Sequence, residues 1–113
     1  MLKGLFFETL VARDLRTYAA ANDGKISHYR DKSGLECDAV MHLRNGRYGL
    51  IEVKIGGSAL IAEGQRRLHE LANEIDTKKM PTPSVMMIVV AEGDYAYEET
   101  DGTLICPVGC LRP

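Results

Sequence analysis

Apolar positions along the chain repeat with two periods. Over residues 3–22, Phe7, Val11, Leu15 and Tyr18 recur at helical spacing, with Leu5, Ala12 and Ala19 beside them and Thr9, Arg13 and Arg16 opposite. This predicts an amphipathic helix, stopped by Asn22-Asp23-Gly24, where Gly supplies a left-handed cap. Residues 26–30 read as a strand, and Asp31-Lys32-Ser33-Gly34 as a turn. The stretches on either side of Arg44-Asn45-Gly46-Arg47 alternate apolar and polar residues, which predicts two strands. Gly56-Gly57-Ser58 ends the second of these, with Ser58 as helix N-cap. Residues 59–75 form a second amphipathic helix, with Leu60, Ile61, Gly64, Leu68, Leu71, Ala72 and Ile75 inward. Glu63, Arg66, Arg67, Glu70 and Asn73 face outward. After the Met80-Pro81-Thr82-Pro83 loop, residues 84–90 are continuously apolar, as in a strand buried on both faces. Residues 95–98 and 103–107 close the chain as a hairpin around Asp101-Gly102. The order is helix, three strands, helix, central strand, hairpin: an α/β fold with a mixed central sheet flanked by helices.

A few charges do not fit this pattern. On an ideal helical wheel Glu8 falls between Leu15 and Ala19, inside the apolar stripe. In the central strands, residues two apart share a face, so Glu52 and Lys54 lie together on a sheet built of Val, Ile, Leu and Met. Whether Asp38 joins them depends on one turn. A two-residue loop at Asn45-Gly46 pairs Arg44 with Arg47 and puts Asp38 and Glu52 on opposite faces. A three-residue loop, with Gly46 left-handed, pairs Leu43 with Arg47, Asp38 with Glu52, and Glu36 with Lys54. The second register is expected. It gathers the charges and leaves Cys37, Ala39, Met41, Ile51 and Val53 on the other face.

Composition narrows the picture. A length of 113 residues suits a single domain spanning 1–113, and 45% hydrophobic with 27% charged residues suits a globular one. The formal net charge of −2 argues against a protein that coats nucleic acid non-specifically. Three cysteines, an odd number without a CxxC, suggest reduced thiols and a cytoplasmic location. Cys106 and Cys110 with His42 or His69 do not have a recognised zinc spacing. The longest apolar run, residues 85–91, is too short to span a bilayer, and no signal peptide is expected.

Carboxylates gathered on an apolar sheet are costly to bury unless something charged joins them. A hard cation, Mg²⁺ or Mn²⁺, held by oxygen ligands would do so, and would suit phosphodiester hydrolysis with a lysine nearby. The arrangement of Glu8 in a helix, Asp38 in one strand and Glu52-Val53-Lys54 in the next resembles the PD-(D/E)XK nuclease superfamily. More narrowly, Gly4-Leu5-Phe6-Phe7-Glu8-Thr9-Leu10-Val11, Tyr29-Arg30-Asp31-Lys32-Ser33-Gly34-Leu35-Glu36-Cys37-Asp38 and Ile51-Glu52-Val53-Lys54 resemble an uncharacterised C-terminal domain of prokaryotic AAA ATPases of the archaeal type. The ending Pro107-Val108-Gly109-Cys110-Leu111 fits as well. The resemblance implies a restriction-endonuclease-like αβββαβ core. It implies Asp38, Glu52 and Glu8 as metal carboxylates and Lys54 as the catalytic lysine. Cys37 stands where the motif has Pro. The chain has no Walker A motif, so it would be a fragment or stand-alone copy separated from its ATPase.

Two functions follow from this reading. One is a metal-dependent nuclease domain acting on DNA, accessory to an AAA ATPase. The other is a catalytically inactive module that binds DNA or a partner, in which Asp38, Glu52 and Lys54 form a buried ion network and Glu8 pairs with Arg30 or Lys54. In the first reading Lys32, Arg44, Arg47, Arg66 and Arg67 line a phosphate-binding groove, with Gln65 near the site. In the second they are a solvated surface. Association of two copies through a strand edge or the terminal hairpin is a weaker expectation.

Overall fold

The computed structural model describes residues 2–30, 36–74 and 81–111, with the side chains of 2–10, 28–30, 36, 37 and 45 outside the description. The elements are α1 (Leu2–Ala21), β1 (Lys25–Arg30), β2 (Glu36–His42), β3 (Tyr48–Val53), α2 (Ser58–Glu74), β4 (Val85–Val90), β5 (Tyr97–Glu98) and β6 (Leu104–Pro107). This is the expected order. The expected turn at residues 31–34 lies outside the described residues.

The six strands of the described residues form one sheet in the order β1-β2-β3-β4-β6-β5. β1, β2 and β3 are antiparallel neighbours, β4 runs parallel to both β3 and β6, and β5 closes the sheet antiparallel to β6. The parallel step from β3 to β4 needs a crossover, which α2 supplies. β1 carries an irregularity in register between Ser27 and Tyr29, and β5 is only two residues long. A bulge and a short strand at the edges are features that discourage edge-to-edge pairing.

The strand period divides the core in two. Ala39, Met41, Ile51 and Val89 point to one face, where they meet Val11, Leu15 and Ala19 of α1 together with Cys106 and Leu111. Val40, Tyr48, Leu50, Ile88, Val90 and Ile105 point to the other, against Leu68 and Leu71 of α2. Ile88 and Val89 are both fully buried, so β4 is the central strand that its unbroken apolar run predicts. Burying each such side chain stabilises the fold by roughly 1.5–3 kcal/mol. α2 comes so close to β4 that a Cβ on Gly64 would stand 3.0 Å from Ile88 Cδ1.

Two local details decide the geometry of the site. Arg44–Gly46 form a single 3-10 turn, with Gly46 at φ 76°, and the Leu43 amide donates to the Arg47 carbonyl at 2.7 Å. This is the three-residue loop of the expected register. The start of α2 differs from expectation. The Ile61 amide donates to the Gly57 carbonyl, so Gly57, at φ 93°, holds the cap position and Ser58 is already helical. The left-handed backbone at Gly56 and Gly57 sets the helix start one residue earlier than the Ser58 hydroxyl suggested.

Candidate functional site

The ladder between β2 and β3 pairs Ala39 with Ile51, Val40 with Leu50, Met41 with Gly49 and His42 with Tyr48. One step further, this register sets Asp38 opposite Glu52. By strand alternation the two positions then share a phase, as expected from the longer loop. Asp38 Oδ2 accepts a hydrogen bond from the Val53 amide at 2.8 Å, which fixes its carboxylate beside the end of β3.

Glu52 is 2% exposed, the one buried carboxyl side chain among the described residues. Burial raises its carboxyl pKa, and the Asp38 charge raises it further. The positive charges of Lys54 and Arg67 pull it down without cancelling the rise, and a hydrogen bond with Asp38 adds to it. The result is about 7. Two carboxyl groups can hydrogen-bond to each other only through a shared proton. Near neutral pH the pair is therefore poised between holding one proton and carrying two adjacent negative charges. A divalent cation relieves that repulsion in a way a single proton does not, and both groups offer hard oxygen donors.

Lys54 extends β3 by one residue, its amide donating to the Val89 carbonyl at 2.9 Å. Its side chain is 16% exposed and its Nζ lies 3.7 Å from Glu63 Oε1 on α2. The same oxygen lies 3.9 Å from Arg67 Nε, one helical turn away. Glu52, Lys54, Glu63 and Arg67 thus form a charged cluster between the end of β3 and the middle of α2. On the α1 side of the sheet, a cleft of about 140 Å³ is lined by Val11, Leu15, Ala39 and Val53, with Arg16 and Asp38 as its charged members. Asp38, one member of the carboxyl pair, belongs to its lining, so this largely apolar cleft adjoins the pair.

The remaining expected site residues are dispersed. Position 8 continues the Val11, Leu15, Ala19 line of α1, but the Glu8 side chain lies outside the described residues, as does Lys32. Among the described residues, no group of three His, Cys, Asp or Glu side chains is placed to hold a metal ion. Arg44 and Arg47 sit at the hairpin tip, six residues from Asp38 and five from Glu52, or roughly 17–20 Å at the usual rise. There Arg44 pairs with Asp23. Arg66 pairs with Glu70 along α2 at 2.8 Å. Arg67 is the arginine whose charge reaches Glu52.

Gln65 is engaged away from the carboxyl pair. Its amide and the His69 ring both meet Asp101 Oδ2, at 3.0 and 2.8 Å, while Asp101 Oδ1 accepts from the Thr103 amide at 2.9 Å. Burial opposes ionisation of Asp101, but the bonds from Thr103, His69 and Gln65 outweigh it and hold the carboxyl near 2. This cluster ties the terminal hairpin to α2. It was not anticipated from sequence, and neither was the part played by Glu63. The Glu63-to-Arg67 spacing of four on one helix was the available signal. Cys106 is buried and Cys110 exposed, and both are free thiols. No helix of the described residues is long and apolar enough to cross a membrane.

A family model for a domain of unknown function, DUF4143, matches residues 3–111. That family is often found with AAA ATPases. Neither the curated proteins nor the solved structures contain a match to the chain.

Proposed function

The chain belongs to the DUF4143 family, and on that footing we propose that it is a divalent-metal-dependent nuclease domain of PD-(D/E)XK type, hydrolysing DNA phosphodiester bonds as an accessory to an AAA ATPase. The observation that carries this reading is the carboxyl pair. Glu52 is buried, lies against Asp38, and has its pKa raised to about 7, with Lys54 two residues along the same strand face. The element order, helix, three strands, helix, strand, supports it, because it puts a glutamate position in the first helix and the Glu-x-Lys at the end of the third strand.

Asp38 and Glu52 would hold Mg²⁺ or Mn²⁺, with Glu8 as the further carboxylate that the resemblance implies. When bound, such an ion lowers the pKa of a water ligand and screens phosphate charge. Lys54 supplies a positive charge next to that position, suited to binding a phosphoryl oxygen and to stabilising charge that develops on it. Glu52, with its raised pKa, would exchange its proton for the cation near neutral pH.

The test is cleavage of supercoiled DNA in the presence of Mn²⁺. Wild type should nick it, and Glu52→Gln and Lys54→Ala should each lower the rate by at least about a hundredfold while melting cooperatively. Folded wild-type protein that leaves the DNA intact would contradict the reading.

A further inference from the structure

Glu63 is the charged residue nearest Lys54 that neither the strand motif nor the carboxyl pair accounts for. One of its oxygens, Oε1, stands 3.7 Å from Lys54 Nζ and 3.9 Å from Arg67 Nε. Both distances are too long for hydrogen bonds, so the carboxylate sits between two cations without engaging the donors of either. The three side chains come from two elements. Lys54 follows β3, while Glu63 and Arg67 share one side of α2, four residues apart. The lysine chain passes beside Gly64 of α2, where a Cβ would stand at ordinary contact distance, 3.7 Å, from Lys54 Cε. The positive charges of Lys54 and Arg67 both act on Glu52, so the two cations border the carboxyl pair as well.

We propose that Glu63 is an internal stand-in for a phosphodiester, occupying the position between Lys54 and Arg67 that a backbone phosphate of the substrate takes by displacing it. The proposal rests on the nuclease reading for its substrate class. Its physical basis is a contrast in strength. Ion pairs with 42% and 45% exposed side chains, such as Glu63 with Arg67, are weak. A phosphate presents several oxygens to both cations and forms charge-assisted hydrogen bonds, and arginine is suited to bidentate contact with it. Glu63 then has two effects. It keeps Lys54 and Arg67 facing each other in the free protein, and it competes with every incoming phosphate.

Acylation of Lys54 by acetic anhydride, followed by mass spectrometry of the whole chain after digestion, reads this out in EDTA without metal or turnover. The dinucleotide TpT and inorganic phosphate are the two protecting probes. TpT should slow Lys54 acylation, and in Glu63→Gln the half-protecting concentration should fall by about two- to fivefold, the range an exposed ion pair spans. In Arg67→Gln it should rise by a similar factor. Protection unchanged or weakened in Glu63→Gln would overturn the proposal, because a merely structural Glu63 would alter the unprotected acylation rate but would not compete with TpT. Protection by inorganic phosphate but not by TpT would overturn the assignment to a phosphodiester. Metal-dependent cleavage is measured separately. Loss of cleavage with TpT competition intact counts against the nuclease reading alone, and the reverse counts against the stand-in alone.

Discussion

Glu52 carries the strongest consequences of any residue. Its carboxyl pKa is near 7 in the folded protein against an ordinary 4.5, so the native state holds a proton that the unfolded chain has released across that interval. Stability therefore falls as pH rises from about 4.5 to about 7 and stays low above it, by on the order of 3 kcal/mol. Glu52→Gln keeps the shape of the group and removes the charge. Its melting temperature should exceed that of wild type at pH 8, and the gap should close towards pH 5. Thermal melts at the two pH values check this, and an equal gap at both would contradict it. Asp101 has the opposite sign. Its carboxyl is held near 2 by three hydrogen-bond donors, so its stabilisation is present above about 3.8 and is lost as pH falls towards 2. Asp101→Asn should destabilise the protein at neutral pH by about 1 kcal/mol, measurable by urea unfolding, with the difference vanishing in acid.

Among the elements, the hairpin of β2 and β3 decides whether a site exists at all. The sequence left two registers open, because Asn45-Gly46 fits both loop lengths. The deciding clue was that only the longer loop gathers Asp38 and Glu52. Gly46 at φ 76° is the residue that makes this loop. Gly46→Ala should cost about 1–2 kcal/mol by chemical denaturation, whereas Gly46→Asn, which tolerates the left-handed region, should cost clearly less. Equal losses for the two would mean the turn is not held in that conformation. The start of α2 was harder to read. Ser58 has the better capping side chain, but the cap position is set by backbone at Gly56 and Gly57, which composition marks only as flexible. The dispersal of the arginines was hidden for a different reason. Sequence places Arg44 and Arg47 close to Glu52 along the chain, while strand rise separates them by several residues' length. The tie from Asp101 to Gln65 and His69 joins exposed polar residues more than thirty positions apart, and no local pattern encodes such a contact.

At the scale of the whole molecule, the two helices divide the labour. α1 seals one face of the sheet through Val11, Leu15 and Ala19, while α2 seals the other through Leu68 and Leu71 and brings Glu63 and Arg67 to the carboxyl pair. This layered architecture was legible in the helical and strand periods, because each element needs a face to bury. The identity of the ligand was not legible in them, since a buried carboxyl pair arises equally from a cation site and from a shared proton. The measurement that separates these most directly is calorimetric titration of the metal-free protein with Mn²⁺ at pH 7.5, for wild type and for Glu52→Gln. The expected result is one saturable site in wild type, with proton release on binding as the shared proton leaves, and loss of that site in the variant. A wild-type protein that takes up no Mn²⁺ at millimolar concentration, or a Glu52→Gln variant that binds it equally well, would contradict the assignment of Asp38 and Glu52 as metal ligands.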